Sequence, residues 1–340
     1  MLINMNFGIL LLAIVILMIT LGGSGCASTS YTVPKTVVDD ASLPRIEING
    51  VLLHSRTFGN PNSPVVIVLH GGPGWDSRYL LSIQALKDEF FVVFYDQRGA
   101  GLSQRVPDEQ LTYKVMMEDL DAVVGHYGKG RKVSLIGHSW GAMLASLYLA
   151  QYPDKLAGVV IAASGPMTGE IADRLKWPFS IGFVFHAGWN WFGSLFVHEP
   201  DEYATDDYFY YQLFATYEGP GHPLAKYHCG DTVLADDYSV WRFGGRALNE
   251  VTATYSGSRE GWPRIDFTQG VENFDQEVLF MAGACDSILG PEVQREHMRP
   301  FPDARLVVIE NAGHDIFTEQ PVTSLIPVRA YLQAFINNDQ

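Results

Sequence analysis

The chain has 340 residues, 47% of them hydrophobic, and carries 23 Lys and Arg against 38 Asp and Glu, a formal net charge of −15. That size and apolar content suffice for one large core with an insertion. The acidic balance argues against nucleic acid and anionic membrane surfaces as partners, and no repeat or low-complexity tract interrupts the chain.

Phe7 to Leu21 is almost wholly apolar, a run of about 15 residues that is short for a membrane span and suits the hydrophobic region of a secretory signal. The small residues Gly22-Gly23-Ser24-Gly25 then lead into Cys26, which resembles a bacterial lipoprotein processing site. Residues 1–26 are therefore expected to be a signal peptide, with Cys26 the lipidated residue and 27–44 a tether. The alternative is an uncleaved N-terminal anchor helix. On either reading the rest of the chain is expected to be exported or membrane-tethered, on the periplasmic or cell-surface side.

Arg45 to Ile48, the Asn49-Gly50 pair and Val51 to Thr57 read as a hairpin with a two-residue turn. Val65 to Leu69 and Phe90 to Tyr95 are short, continuously apolar strands, as in a sheet covered on both faces. A helical pattern over Tyr113 to His126, a strand over Val133 to Ile136, a helix after Trp140 and a strand over Val159 to Ala162 follow. This alternation predicts a mainly parallel α/β sheet with right-handed crossovers. After Pro166 the pattern changes to aromatic clusters such as Trp189-Asn190-Trp191-Phe192 and Tyr208-Phe209-Tyr210-Tyr211. Residues 167–270 are expected to form a helical cap inserted between core segments 45–166 and 271–340. The core resumes with strands over Val278 to Ala282 and Leu306 to Ile309 and ends in a helix from about Val322 to Ile336.

Ser139 lies in Gly137-His138-Ser139-Trp140-Gly141, between a strand and a helix. A turn that tight leaves no room for side chains two residues to either side, and it presents the serine hydroxyl at the carboxyl edge of the sheet. Attack on an ester or amide needs a base to take the serine proton, best a histidine held in one tautomer by a carboxylate. In a sheet of this kind the acid and then the histidine follow in chain order from loops after later strands. Asp286, after Val278 to Ala282, is the predicted acid, and His314, after Leu306 to Ile309, the predicted base. Asp315 is read as a surface or structural carboxylate. The oxyanion needs backbone donors, expected from Trp140 N–H and from Gly72 N–H in His70-Gly71-Gly72-Pro73-Gly74. This glycine loop lacks the lysine of a nucleotide-binding loop.

Cys229 and Cys285 could pair in an oxidising compartment, but Cys285, next to the predicted acid, is expected to be a free buried thiol. His222, His228 and Cys229 fit no common metal-site spacing, so no metal is expected.

Three segments together, His70 to Gly74, Asp96-Gln97-Arg98-Gly99-Ala100-Gly101-Leu102-Ser103 and Gly137 to Gly141, resemble the proline iminopeptidase family of α/β-hydrolases. The resemblance spans roughly Arg45 to Ile336 and implies a capped α/β-hydrolase fold, with Ser139, Asp286 and His314 as nucleophile, acid and base. It also implies release of N-terminal residues, often proline, from short peptides without a cofactor, and a chiefly structural role for Asp96 and Arg98. Recognising a free ammonium would call on cap carboxylates, of which Glu199, Glu202, Glu218 and Glu250 are available. The histidine at position 138 is a form shared with esterases, so the alternative is a small carboxylic ester or amide hydrolase with an apolar acyl pocket in the cap. A catalytically idle binding protein on the same fold is the reading of another class.

Overall fold

The computed structural model describes residues 32–175, 181–215, 225–229, 239–256 and 264–336. The apolar run Phe7 to Leu21, Cys26, His222 and Glu218 lie outside them. Among the described residues, no helix is long and apolar enough to cross a membrane.

Asn49 and Gly50, with φ of 49° and 75°, form the tight turn joining β1 (Arg45–Ile48) to β2 (Val51–Phe58). β2 pairs antiparallel with β4 (Phe91–Tyr95). From there the sheet is parallel, running β4, β3 (Val65–Leu69), β5 (Val133–His138), β6 (Leu156–Ala162), β7 (Val278–Gly283) and β8 (Ala304–Ile309). Every residue of β3, β4 and β5 is buried, because helices cover both faces.

Alternate residues of one strand enter different cores. Val65, Ile67 and Leu69 join Val133 and Leu135 against α1 (Tyr113–Gly128) and α2 (Trp140–Gln151). Val66 and Val68 join Ile136 and Val160 against the 3-10 helix Arg78–Leu86, α8 (Ile316–Glu319) and α9 (Pro321–Ile336). Each such aliphatic side chain contributes about 1.5–3 kcal/mol by leaving water. This two-sided burial fixes the strand register, and the register fixes where the strands end.

Between β6 and β7 lie α3 (Gly169–Arg174), α4 (Ile181–Ser194), α5 (Ala204–Ala215) and α6 (Gly245–Ser256), with no strand among the described residues of that stretch. α7 (Pro291–Met298) follows β7. The insertion meets the loops that leave the carboxyl ends of the parallel strands. Gly244 N–H donates to Gly74 O (2.7 Å), in the loop after β3. Asp76 Oδ2 accepts from the backbone N–H of Trp241 (2.6 Å) and Arg242 (3.1 Å). The Arg242 guanidinium is fully buried and bonds Asp201, Asp207 and the carbonyl of Pro34.

Candidate active site

β5 delivers Ser139 to a φ of 55° and ψ of −118°, at the start of α2. The two flanking glycines are required by close approach. A Cβ on Gly137 would lie 2.4 Å from Gly141 O, and one on Gly141 would lie 2.2 Å from Leu69 O. Ser139 N–H donates to Ala162 O (3.0 Å), so the neighbouring strand β6 helps hold the strained turn.

The acid and base loops arrive beside this turn. Asp286, 4% exposed, turns Oδ1 to the backbone N–H groups of Ile288 (2.9 Å) and Leu289 (2.8 Å). Its Oδ2 is left for His314 Nδ1 at 3.1 Å. Nδ1 therefore donates, and Nε2 is the basic nitrogen of the ring. The backbones of the two loops approach so closely that a Cβ on Gly283 would lie 1.8 Å from Gly313 O.

His138, the residue before Ser139, ties the base loop to the nucleophile turn. Its Nε2–H donates to the carbonyl of His314 (2.9 Å), and the two rings lie 4.8 Å apart. With Nε2 protonated, Nδ1 accepts the Tyr79 hydroxyl (2.8 Å), and Tyr79 Oη accepts Gly71 N–H (2.8 Å). One chain of hydrogen bonds thus joins the glycine loop, the nucleophile turn and the base loop. Burial, aided by Asp315, pushes the Tyr79 phenol well up, so it keeps its proton. Asp315 itself is 4% exposed, with Oδ1 3.8 Å from His138 Nε2. It is buried, which removes the surface half of its expected role.

Burial, then the neighbouring His314, pushes His138 down to about 3; burial does the same to His297 in α7. Both rings are neutral in the fold, whereas the unfolded chain protonates them near the ordinary 6.5. Between those limits the unfolded state binds more protons, so stability falls as pH drops below about 6.5, by about 1.4 kcal/mol per pH unit for each ring. The urea midpoint should accordingly drop clearly between about pH 7 and pH 5. A flat midpoint over that interval would mean that these rings are charged in the native protein.

The glycine loop sits on Ser139: a Cβ on Gly71 would lie 3.0 Å from Ser139 Cβ. Gly71 N–H is taken by Tyr79, and Gly72, at φ 117°, is the next N–H along the loop. Trp140 is the first residue of α2, where the helix supplies no partner for its N–H. Its indole donates to Gln97 Oε1 (2.9 Å), and Gln97 Nε2 donates to His70 O (2.9 Å). Gln97 therefore joins the two predicted donor segments. Asp96 binds His54, Ser77 and the N–H of Leu102, while Arg98 makes a bidentate pair with Asp119, so both are structural.

Cys229 and Cys285 are joined in a disulfide, with Cα atoms 4.9 Å apart. This corrects the expectation of a free Cys285 thiol: the insertion folds back onto the acid loop. His228 faces Glu319 Oε1 at 3.3 Å. Apolar side chains gather beside these loops. Trp75, directly after the glycine loop, packs on Phe243 (4.7 Å) and Phe214 (5.4 Å), and with Leu175, Tyr227, Ile288 and Leu289 forms a third apolar cluster. Of the cap carboxylates, Glu199 and Glu202 are exposed, Glu250 is half-buried, and the buried Asp207 bonds Arg105 and Arg242.

Tyr79, Gln97 and Tyr227 are parts of this site that the sequence pattern does not mark: Gln97 lies inside the Asp96 to Ser103 segment, whereas Tyr79 and Tyr227 carry no local signal.

A mostly parallel sheet with a serine turn after one strand, and an acid and a histidine after later ones, defines a class of hydrolytic enzymes. A family model described as the alpha/beta hydrolase fold matches residues 64–321, and the chain belongs to that family. It is a hydrolase similar to proline iminopeptidases. A proline iminopeptidase of Thermoplasma volcanium is 26% identical over 276 residues, covering 79% of this chain and 89% of the relative. The proline iminopeptidase PfmaB of Pestalotiopsis fici is 23% identical over 294 residues, covering 85% and 98%. Two solved structures share the fold. A proline iminopeptidase of Mycobacterium smegmatis has a TM-score of 0.59 at 21% identity, over 88% of this chain and 100% of that one. An esterase of Thermogutta terrifontis has 0.58 at 22% identity, over 86% and 99%.

Proposed function

We propose that the chain is an exported serine hydrolase that works through an acyl-enzyme on short peptides with a free N-terminus. The observation that carries this reading is the bond from His314 Nδ1 to Asp286, made in a loop that His138 ties to the serine turn. In the mechanism, His314 Nε2 takes the Ser139 proton as Oγ bonds the substrate carbonyl carbon. Gly72 and Trp140 N–H donate to the oxyanion, worth roughly 100- to 1,000-fold in turnover for each donor. As the intermediate collapses, the leaving amine takes the proton from His314 and departs. His314 then deprotonates a water that attacks the acyl-enzyme, and the proton passes to Ser139 as the acid leaves.

The peptide substrate rests on the two long proline iminopeptidase relatives. A specific observation favours the second reading, a small apolar ester or amide. The surface where the cap meets the glycine and acid loops is apolar, through Trp75, Phe214 and Phe243, and the buried cap carboxylate Asp207 is already engaged by two arginines. Export is supported by the Cys229–Cys285 disulfide, a bond that persists in oxidising compartments, together with the apolar run before Cys26.

The test uses a fluorophosphonate probe on intact producing cells and then purified protein. The expected result is labelling at Ser139 in the membrane fraction, with prolyl-arylamide cleaved faster than its N-acetylated counterpart. Equal rates on the two arylamides, with faster p-nitrophenyl ester cleavage, would move the substrate to the second reading. A folded protein that takes no label would leave the idle scaffold, and label only in the cytosol would refute export.

A further inference from the structure

Residues 225–229 of the insertion run across the loops that carry Asp286 and His314. The Lys226 carbonyl accepts both the N–H (3.0 Å) and the hydroxyl (3.1 Å) of Ser287, next to the acid. The Tyr227 carbonyl accepts the N–H of His314 (2.5 Å), and its buried ring lies 4.4 Å from the imidazole. His228 faces Glu319 Oε1, while Oε2 of the same carboxylate accepts Gly313 N–H (2.9 Å), next to the base. Cys229 is bonded to Cys285, the residue before the acid. The strap sits so close that a Cβ on Gly313 would lie 1.9 Å from Tyr227 O and 2.6 Å from His228 Cα.

We propose that this strap is a positioning element of the proton relay, holding acid and base loops at their working separation, and that the Cys229–Cys285 disulfide locks it there. The proposal rests on the reading of Ser139, Asp286 and His314 given above. It gives the insertion a role beyond enclosing substrate. Lys226 and Tyr227 hold the relay loops through backbone carbonyls, and the Tyr227 ring also lies against the imidazole, so the geometry depends on where the strap is anchored. Among the described residues, the disulfide is the strap's one covalent anchor to the core. A relay loosened by as little as about 1 Å loses up to about 100-fold in rate.

The prediction is a loss in kcat with little change in KM, because the strap orders proton transfer more than it binds substrate. Three preparations test it: wild-type protein treated with dithiothreitol, Cys229→Ala/Cys285→Ala, and Gly313→Ala with the disulfide intact. In the first, the reagent's two thiols supply two electrons and two protons, the S–S bond becomes two thiols, and the reagent leaves as its cyclic disulfide. The expected result is a kcat lowered about 10- to 100-fold in all three, with KM within about twofold and an altered pH dependence of kcat. Circular dichroism should report native secondary structure. Gly313→Ala keeps the cross-link, so it decides the matter if the cysteine variant fails to fold. An unchanged kcat in reduced wild type and Gly313→Ala, or a change confined to KM, overturns the proposal. Untreated wild type that takes no fluorophosphonate label would instead overturn the triad reading, and the strap's role with it.

Discussion

Ser139→Ala is expected to abolish fluorophosphonate labelling and to lower kcat by roughly 10⁴- to 10⁶-fold, the largest effect of any single substitution in this chain. The effect is chemical. Removing one oxygen leaves the backbone donors, the cap and the His314–Asp286 pair in place, so residual rate comes from oxyanion binding alone. The backbone bonds that hold the turn, Ser139 N–H to Ala162 O and Ala142 N–H to Ser139 O, do not use the side chain. The free energy of unfolding from urea titration should therefore stay within about 1 kcal/mol of wild type. A variant that is folded and still hydrolyses substrate at more than a few per cent of the wild-type rate would place the nucleophile elsewhere.

Asp286→Asn should cost about 10⁴-fold in kcat with KM little changed, for a reason specific to this loop. Asp286 Oδ1 accepts two backbone N–H groups, from Ile288 and Leu289, so an amide at this position must keep its oxygen there. Its NH₂ group then points at His314 Nδ1, where Oδ2 now accepts at 3.1 Å. A donor facing Nδ1 forces the ring proton onto Nε2, and an Nε2–H cannot take a proton from serine. Steady-state kinetics of a folded variant check this; a loss below about tenfold would mean that another carboxylate orients the ring.

Much of the architecture could be read from residue patterns because burial on both faces leaves a plain mark. Val65 to Leu69 carries no polar residue, and the structure buries all five side chains, alternately in opposite cores. The Asn49-Gly50 turn is equally explicit, since both residues must take positive φ. The meeting of Asp286 and His314 was legible because each follows a recognisable strand, and β7 and β8 are neighbours. The disulfide was not. Its cysteines are 56 residues apart, and their meeting depends on how the insertion folds back. Nor did any local pattern mark Tyr79, whose hydroxyl serves Gly71 and His138 through tertiary geometry alone. Asp315 illustrates the same limit: its burial against His138 follows from the packing of the base loop.

The attachment of residues 241–244 to the loop after β3 bears on how such an enzyme can be re-engineered. Gly74 accepts the N–H of Gly244, and a Cβ on Gly74 would lie 2.5 Å from Gly244 O. Asp76 meanwhile holds the backbone of Trp241 and Arg242. A lid grafted from a relative would have to bring its own glycine contact and a match for that aspartate. Swapping lids to change selectivity therefore means exchanging both mating halves together, and α5 travels with them, since its Asp207 bonds Arg242 and its Phe214 packs on Trp75.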